Sequence, residues 1–122
     1  MAEPWTTAAH RLFKKHNIRT VGYVPDAGLT ELIKSCHADN DIKSVVMTTE
    51  EEGIGLSSGA WLGGEKAAVL MQSSGVGNTV NAIASIVSSL PVPAFYDCHY
   101  ARTIWGVEPM ANADGPSCST RP

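Results

Sequence analysis

Two hydrophobic patterns alternate along the first 95 positions of the chain. In three segments apolar residues recur every three or four positions, which is typical of one face of a helix. A fourth segment, at 50–62, is rich in glycine and serine and is closed by Gly63–Gly64. Between them lie short, continuous apolar runs, which are typical of strands buried on both faces of a sheet. The patterns predict helices over 6–16, 28–36, 50–62 and 79–90, and strands over 20–25, 42–49, 67–72 and 91–95. Thr6 and Thr7 are both candidate caps of the first helix. Strands that alternate with helices predict an α/β fold, a parallel sheet flanked by helices.

Three polar loops follow the first three predicted strands: "VPDAG" at 24–28, "TTEEEG" at 48–53 and "QSSGVGN" at 72–78. The carboxyl ends of parallel strands share one edge of the sheet, and ligands of such sheets bind at that edge. We therefore expect the three loops to lie together and to form the functional site.

The acidic triplet Glu50–Glu51–Glu52 has two interpretations. In the first, all three acids are solvated in the first helical turn, where they interact favourably with the helix dipole. In the second, one acid turns inward and takes part in chemistry. The small residues at 53–59 favour the second interpretation, because glycine destabilises a helix that nothing approaches closely. The spacing alone leaves both open.

The loop at 73–78 also has two interpretations. A glycine-rich turn before a helix binds phosphate through its backbone N–H groups, but Val80 stands where the dinucleotide fingerprint requires glycine. The alternative is a tight strand-to-helix turn without a ligand. Asn81 falls within the apolar helical segment, where an amide without a partner would be costly.

The composition narrows the possible classes of function. The chain has 122 residues, 43% hydrophobic and 17% charged, which fits one globular domain. A net charge of −3 gives no basic surface for nucleic acid. No apolar run reaches the roughly 20 residues that span a bilayer, and the N-terminal residues lack the apolar region of a signal peptide, so we expect a cytoplasmic protein. Three cysteines without CxxC spacing and four scattered histidines predict no metal site.

The order and spacing of three segments resemble a known family. The segments are "VPDAGLTELI", "TTEEEGIGLSSGAWLGGEKAAVLMQSSGVGNTVNAIASI" and "LPVPAF", which together fall between about residue 20 and residue 95. They resemble the alpha subunit of sulfopyruvate decarboxylase and the equivalent half of phosphonopyruvate decarboxylase. More broadly, they are similar to the pyrimidine-binding domain of thiamine-diphosphate enzymes.

The resemblance implies roles for individual residues. It places the cofactor-binding acid at Glu51, turned inward so that its carboxyl group hydrogen-bonds the aminopyrimidine ring of thiamine diphosphate, and it leaves Glu50 and Glu52 as flanking acids. It also implies that one loop packs against this ring and that three further residues line the substrate space. The implied loop residues are Ser73, Ser74, Gly75, Val76, Gly77 and Asn78, and the implied substrate residues are Pro25, Asp26 and Gln72.

The resemblance further implies a partner. In the resembling enzymes the diphosphate and Mg²⁺ are held by a second domain marked by Gly-Asp-Gly, a motif that this sequence lacks. A beta subunit would carry that domain, the chain would self-associate, and the assembly would decarboxylate a small anionic 2-oxo acid. The alternatives are an inactive fragment or partner subunit that keeps the fold, and a nucleotide-binding module that uses the loop at 73–78 together with Asp97.

The resemblance stops after Phe95. Residues 96–122 have poor helix and strand patterning, and reading their codons from the second base of the Phe95 codon permits the continuation that the family shows. We therefore expect residues 1–95 to form an incomplete pyrimidine-binding α/β domain, truncated at its C-terminal side. Residues 96–122 are then an irregular tail from a frameshifted reading, and a genuine divergent tail is the alternative.

Overall fold

The computed structural model describes residues 2–87 and residue 89. The predicted strand at 91–95 and the tail at 96–122 lie outside the described residues. The helices are α1 (Trp5–Lys15), α2 (Thr30–Ala38), α3 (Glu50–Leu62) and the short α4 (Val80–Ala82). The strands are β1 (Ile18–Tyr23), β2 (Lys43–Val46) and β3 (Lys66–Leu70). Two 3₁₀ segments, Ala27–Leu29 and Ser73–Thr79, and a π-helical turn, Ile83–Val87, complete the described chain.

The described strands form one parallel sheet in the order β2-β1-β3. β1 lies in the centre, where its last residue, Tyr23, is paired with Val46 of β2 on one side and with Leu70 of β3 on the other. The predicted α/β fold, a parallel sheet flanked by helices, is confirmed.

The two faces of the sheet are covered by different helices, because side chains alternate along each strand. Val21 of β1 is fully buried and packs with Leu32 and Cys36 of α2. The next residue, Gly22, faces α3, since a Cβ there would lie 2.7 Å from a methyl group of Leu56. Helices α2 and α3 therefore lie on opposite faces, as right-handed crossovers first to β2 and then back past β1 to β3 require. Helix α1 packs against α2 and β1.

Cys36 belongs to the core beneath α2, where it is 1% exposed. Burial and, to a smaller extent, the negative charge of Asp39 raise the pKa of its thiol to about 11. The thiol is therefore uncharged at neutral pH, and it serves as a small apolar core group.

Two boundaries on the N-terminal side differ from the predictions. Helix α1 begins directly after Pro4 and no side chain caps it, so the predicted cap at Thr6 or Thr7 is wrong. Strand β2 is shorter than the apolar run at 42–49 and lies at an edge of the described sheet. Because Val46 is 63% exposed, the predicted burial of this strand on both faces is wrong at its end.

The segment after β3 also differs from its prediction. In place of a continuous helix over 79–90, the chain forms the 3₁₀ segment Ser73–Thr79, the single turn α4 and the π-helical turn. Asn81 is exposed on α4. Its amide is therefore solvated, and the cost expected for a buried amide does not arise.

A charged cluster joins the end of α1 to the turn before β2. Lys14 Nζ donates to Asp39 Oδ1 at 2.9 Å and to Asp41 Oδ2 at 2.6 Å. Asp39 Oδ1 also accepts from the backbone N–H of Asp41 at 2.9 Å, and its other oxygen lies 3.1 Å from His10 Nε2. The hydrogen bond from Lys14, followed by that from the Asp41 backbone, lowers the pKa of Asp39.

Stability is expected to fall in acid as this cluster loses its negative charge. Folding lowers the pKa of Asp39, so ionised Asp39 stabilises the folded chain. This contribution is fully present above the pKa of an unfolded Asp, about 3.9, and is lost as the pH falls through the lower pKa of the folded state. We expect the D39N variant to be less stable than the original chain at pH 7 and the difference to shrink as the pH approaches 3. Urea unfolding at several pH values measures this, and equal destabilisation at every pH would contradict it.

Candidate functional site

The segments that follow β1, β2 and β3 meet at the carboxyl edge of the sheet. Backbone hydrogen bonds extend the parallel ladders into them: the N–H of Met47 donates to the Tyr23 carbonyl at 2.8 Å, and the N–H of Val24 donates to the Leu70 carbonyl at 3.1 Å. The 3₁₀ segment Ser73–Thr79 continues from β3 and packs against α3. The three polar loops therefore lie at one edge, as their positions in the sequence predict.

Glu52 has a structural role at the start of α3. Thr49 is the N-cap residue but makes no side-chain hydrogen bond to the helix. Instead, Oε2 of Glu52 accepts from the backbone N–H of Thr48 at 2.8 Å. The contact resembles the acid half of a capping box, but the donor is the residue before the N-cap instead of the N-cap itself. The solvated, helix-stabilising interpretation therefore holds for Glu52.

Glu50 turns from the same helical turn towards the 3₁₀ segment. Its Oε2 accepts a hydrogen bond from Nδ2 of Asn78 at 2.8 Å. Its carboxyl group lies directly over Gly75, where a Cβ would overlap Oε1 and would lie 2.6 Å from the carboxyl carbon. Oε1 receives no hydrogen bond from the described part of the chain. Glu50 is thus a partly buried acid at the carboxyl edge, with one oxygen engaged by the protein.

Glu51 lies on the exposed side of this turn and makes no side-chain hydrogen bond within residues 2–87. In the described chain Glu51 therefore points to solvent, and its expected inward orientation towards a cofactor is not tested. The exposure of Glu51 follows from the helical phase: successive residues point about 100° apart, so one acid of a consecutive triplet faces the 3₁₀ segment while its neighbours point elsewhere. The role of Glu51 towards a cofactor stays a prediction.

The 3₁₀ segment is anchored by its buried residues. Gly75 and Thr79 are buried, and Thr79 Oγ1 donates to the Val76 carbonyl at 2.7 Å. The N–H of Gly75 donates to the Gln72 carbonyl at 2.9 Å, so this donor is not free to bind a phosphate. The other predicted cofactor residues lie along the segment, with Ser73 and Val76 partly buried and Ser74, Gly77 and Asn78 exposed.

A shallow depression of about 470 Å³ lies at the carboxyl end of β1. Pro25 and Asp26 line it, together with Tyr23, Ala27, Thr30, Ile33 and Lys34. Oδ1 of Asp26 accepts from the N–H of Gly28 at 2.8 Å, which caps the short 3₁₀ turn Ala27–Leu29. Gln72 is exposed after β3 and does not line the depression. The structure therefore brings Pro25 and Asp26 together but places Gln72 outside their depression.

The glycines of α3 differ in their surroundings. Gly53 is buried against the sheet, where a Cβ would lie 2.6 Å from Cγ1 of Val69 and 3.1 Å from Cε of Met47. Packing within the chain therefore requires a glycine at this position. At Gly55 and Gly59 a Cβ would meet nothing within 4 Å, so no neighbour among the described residues explains these two glycines.

Within the described range, no group of three or more His, Cys, Asp or Glu side chains is arranged to hold a metal ion. A search of the same residues finds no helix with the length and apolar character needed to cross a membrane.

The sequence does not predict the pairing of Glu50 with Asn78. The two residues are 28 positions apart, and no local periodicity links them. The signal that could have indicated it is the order of the elements, because the parallel strands of one sheet bring the start of α3, after β2, and the segment after β3 to the same edge.

The chain is similar to several named decarboxylases. It is 42% identical over 86 residues to sulfopyruvate decarboxylase subunit alpha of Methanocaldococcus jannaschii, which covers 70% of this chain and 51% of that protein. The same identity over 86 residues relates it to the subunit of that name from Methanococcus maripaludis, with 70% and 52% covered. Phosphonopyruvate decarboxylase of Streptomyces viridochromogenes is 35% identical over 77 residues, which is 63% of this chain and 19% of that protein. No family model matches the chain.

These similarities confirm the resemblance that the three sequence segments indicate: the chain is a homologue of proteins with these names. The chain spans about half the length of the sulfopyruvate decarboxylase alpha subunits that it matches.

Proposed function

We propose that the chain supplies the aminopyrimidine-binding half of a thiamine-diphosphate-dependent decarboxylase that acts on a small anionic 2-oxo acid. The observation that carries the proposal is the similarity to sulfopyruvate and phosphonopyruvate decarboxylases. The position of the Glu50 carboxylate supports it, because this acid lies at the edge of a parallel sheet where ligands bind.

The residues at this edge fit the pyrimidine end of the cofactor. Oε1 of Glu50 has no donor among the described residues and can accept a hydrogen bond from a ring nitrogen. Gly75 has no side chain, so the carboxyl group can lie against the backbone of the 3₁₀ segment. When bound, thiamine diphosphate supplies the nucleophilic carbon and the electron sink that the loss of carbon dioxide requires.

The role proposed for the acid is to hold a proton at the ring nitrogen. A carboxyl group that is partly shielded from water interacts more strongly with such a partner than a solvated one does. By this argument Glu50 is better placed than Glu51, which is the acid that the resemblance assigns. Residues 73–78 are proposed to pack against the ring.

The depression beside β1 is proposed as part of the substrate space. Pro25 and Asp26 line it, and Lys34 adds a positive charge that an anionic substrate requires. Nζ of Lys34 is paired with Glu31 at 2.9 Å, but an exposed pair of this kind is weak, so an anion can compete for the lysine. Gln72, which follows β3 at the same edge, is proposed to approach the substrate from the other side.

The diphosphate and Mg²⁺ are assigned to a beta subunit. The part of the chain that the structure describes has no side-chain cluster suited to a metal ion, and the sequence contains no Gly-Asp-Gly. Similar proteins are named as alpha subunits. The proposed enzyme is therefore a hetero-oligomer whose site is completed by the partner, and we further propose that the chain self-associates within it.

Decarboxylation is expected only from the complete assembly. The full chain mixed with its beta subunit, thiamine diphosphate and Mg²⁺ should release carbon dioxide from sulfopyruvate or phosphonopyruvate, because each subunit holds one end of the cofactor. Omitting either subunit or the cofactor should abolish the release. A coupled assay for carbon dioxide measures this, and turnover by the purified chain alone would contradict the division of the site.

The same preparation separates the alternatives. Binding of thiamine diphosphate without turnover of either acid would favour an inactive partner subunit. A rise in melting temperature with NAD and none with thiamine diphosphate would favour a nucleotide-binding module.

A further inference from the structure

Asn78 connects the 3₁₀ segment to the first turn of α3. Its side-chain amide donates to Oε2 of Glu50 at 2.8 Å, while its own backbone lies at the end of a segment anchored by buried Gly75 and Thr79. The amide is therefore supplied from a fixed backbone position. A hydrogen bond to a carboxylate is stronger than one between neutral groups, so this contact restricts the rotamers of Glu50.

Gly75 completes the surroundings of the same carboxyl group. The atoms nearest to a Cβ built on Gly75 all belong to Glu50, including the carboxyl carbon at 2.6 Å and Cγ at 2.7 Å. The acid is thus in contact with the backbone of the 3₁₀ segment on one side and is hydrogen-bonded to Asn78 through one oxygen. Two contacts from one segment fix its orientation.

We propose that Asn78 is a positioning residue, which acts on the ligand only through Glu50. It holds the carboxylate over Gly75 by Oε2 and leaves Oε1 for the ligand. This assignment differs from direct contact between Asn78 and a cofactor. It rests on the proposed function for the identity of the ligand, but the contact with Glu50 can be tested without one.

The chemistry of the amide suits this role. A neutral donor orients the carboxylate without cancelling its charge, whereas a lysine at the same position would cancel it. A short side chain also loses less rotamer entropy than a lysine when it is ordered. Replacing the amide by a carboxylate removes the donor and places two negative charges next to each other, with almost no change in shape.

The experiment compares N78Q, N78A and N78D in the full chain by urea unfolding. N78Q keeps a donor and should be the most stable of the three, whereas N78D should be the least stable because it introduces repulsion with Glu50. A purely steric role predicts the reverse order, since Asp is closest to Asn in size. N81D is the matched control: Asn81 is exposed three positions further along, and its change should have little effect.

A second substitution tests whether the effect passes through Glu50. In an E50Q background the repulsion is absent. The effect of N78D on the unfolding equilibrium constant should then be smaller by a factor of at least about two, which is the lower bound of the coupling between side chains in contact. The same penalty for N78D in both backgrounds, or the steric order of stabilities, overturns the proposal. Calorimetry with thiamine diphosphate, Mg²⁺ and the beta subunit should then show weaker binding in the order N78Q, N78A, N78D. If the original chain binds no thiamine diphosphate, the proposed function fails while the unfolding series still decides the role of Asn78.

Discussion

Replacing Glu50 by Gln is expected to lower kcat of the reconstituted decarboxylase by about 10²–10⁴-fold, the range over which a positioned acid or base contributes to catalysis. Gln keeps the size of the side chain and can still accept from Asn78, but it cannot take up or release a proton. The reason to choose Glu50 is its position, partly buried and held against the 3₁₀ segment. Steady-state carbon dioxide release measures the effect.

Two matched variants accompany this change within the same helical turn. E51Q removes the acid that the resemblance assigns. Because Glu51 is exposed, we expect a much smaller loss of kcat than in E50Q. E52Q weakens the contact with the Thr48 N–H and is expected to affect stability more than turnover. A large loss of kcat in E51Q together with near-normal E50Q would contradict the geometric assignment and support the one based on resemblance.

Replacing the three glycines of α3 by alanine is expected to change the free energy of unfolding in different directions: a decrease at Gly53 and an increase at Gly55 and Gly59. At Gly53 a Cβ would lie 2.6 Å from Cγ1 of Val69, and that β-branched side chain has little rotamer freedom with which to move away. Overpacking costs about 1–3 kcal/mol, which exceeds the gain of up to about 1 kcal/mol that alanine brings to a helix. We therefore expect G53A to lower the free energy of unfolding by up to about 2 kcal/mol.

G55A and G59A are the controls, because they make the same chemical change in the same helix. Nothing lies within 4 Å of a Cβ at either position, so each should raise the free energy of unfolding by about 1 kcal/mol. Thermal or urea unfolding of the three variants measures the difference. Stabilisation by G53A would mean that α3 can move away from β3 at little cost.

The sequence predicts the elements that depend on local patterns. Helix α3 is predicted over 50–62 and is found as Glu50–Leu62. The prediction is correct because the acids at its start and Gly63–Gly64 after it mark both ends. Gly64 has a φ of +83°, a backbone conformation that suits glycine. The order of strands and helices and the parallel sheet follow in the same way. The cap of α1 and the burial of β2 are not predicted correctly, because each depends on what the rest of the chain places beside it.

By itself the sequence determines which residues reach the carboxyl edge, since alternation of strands and helices sends the segment after every strand to that edge. Only the tertiary structure decides which member of Glu50–Glu51–Glu52 faces the 3₁₀ segment. That choice depends on the rotation of α3 about its axis, and Gly53 packed on Val69 fixes this rotation from inside the chain. The hydrogen bond from Asn78 then reaches Glu50 across 28 positions, a separation over which no local pattern carries information.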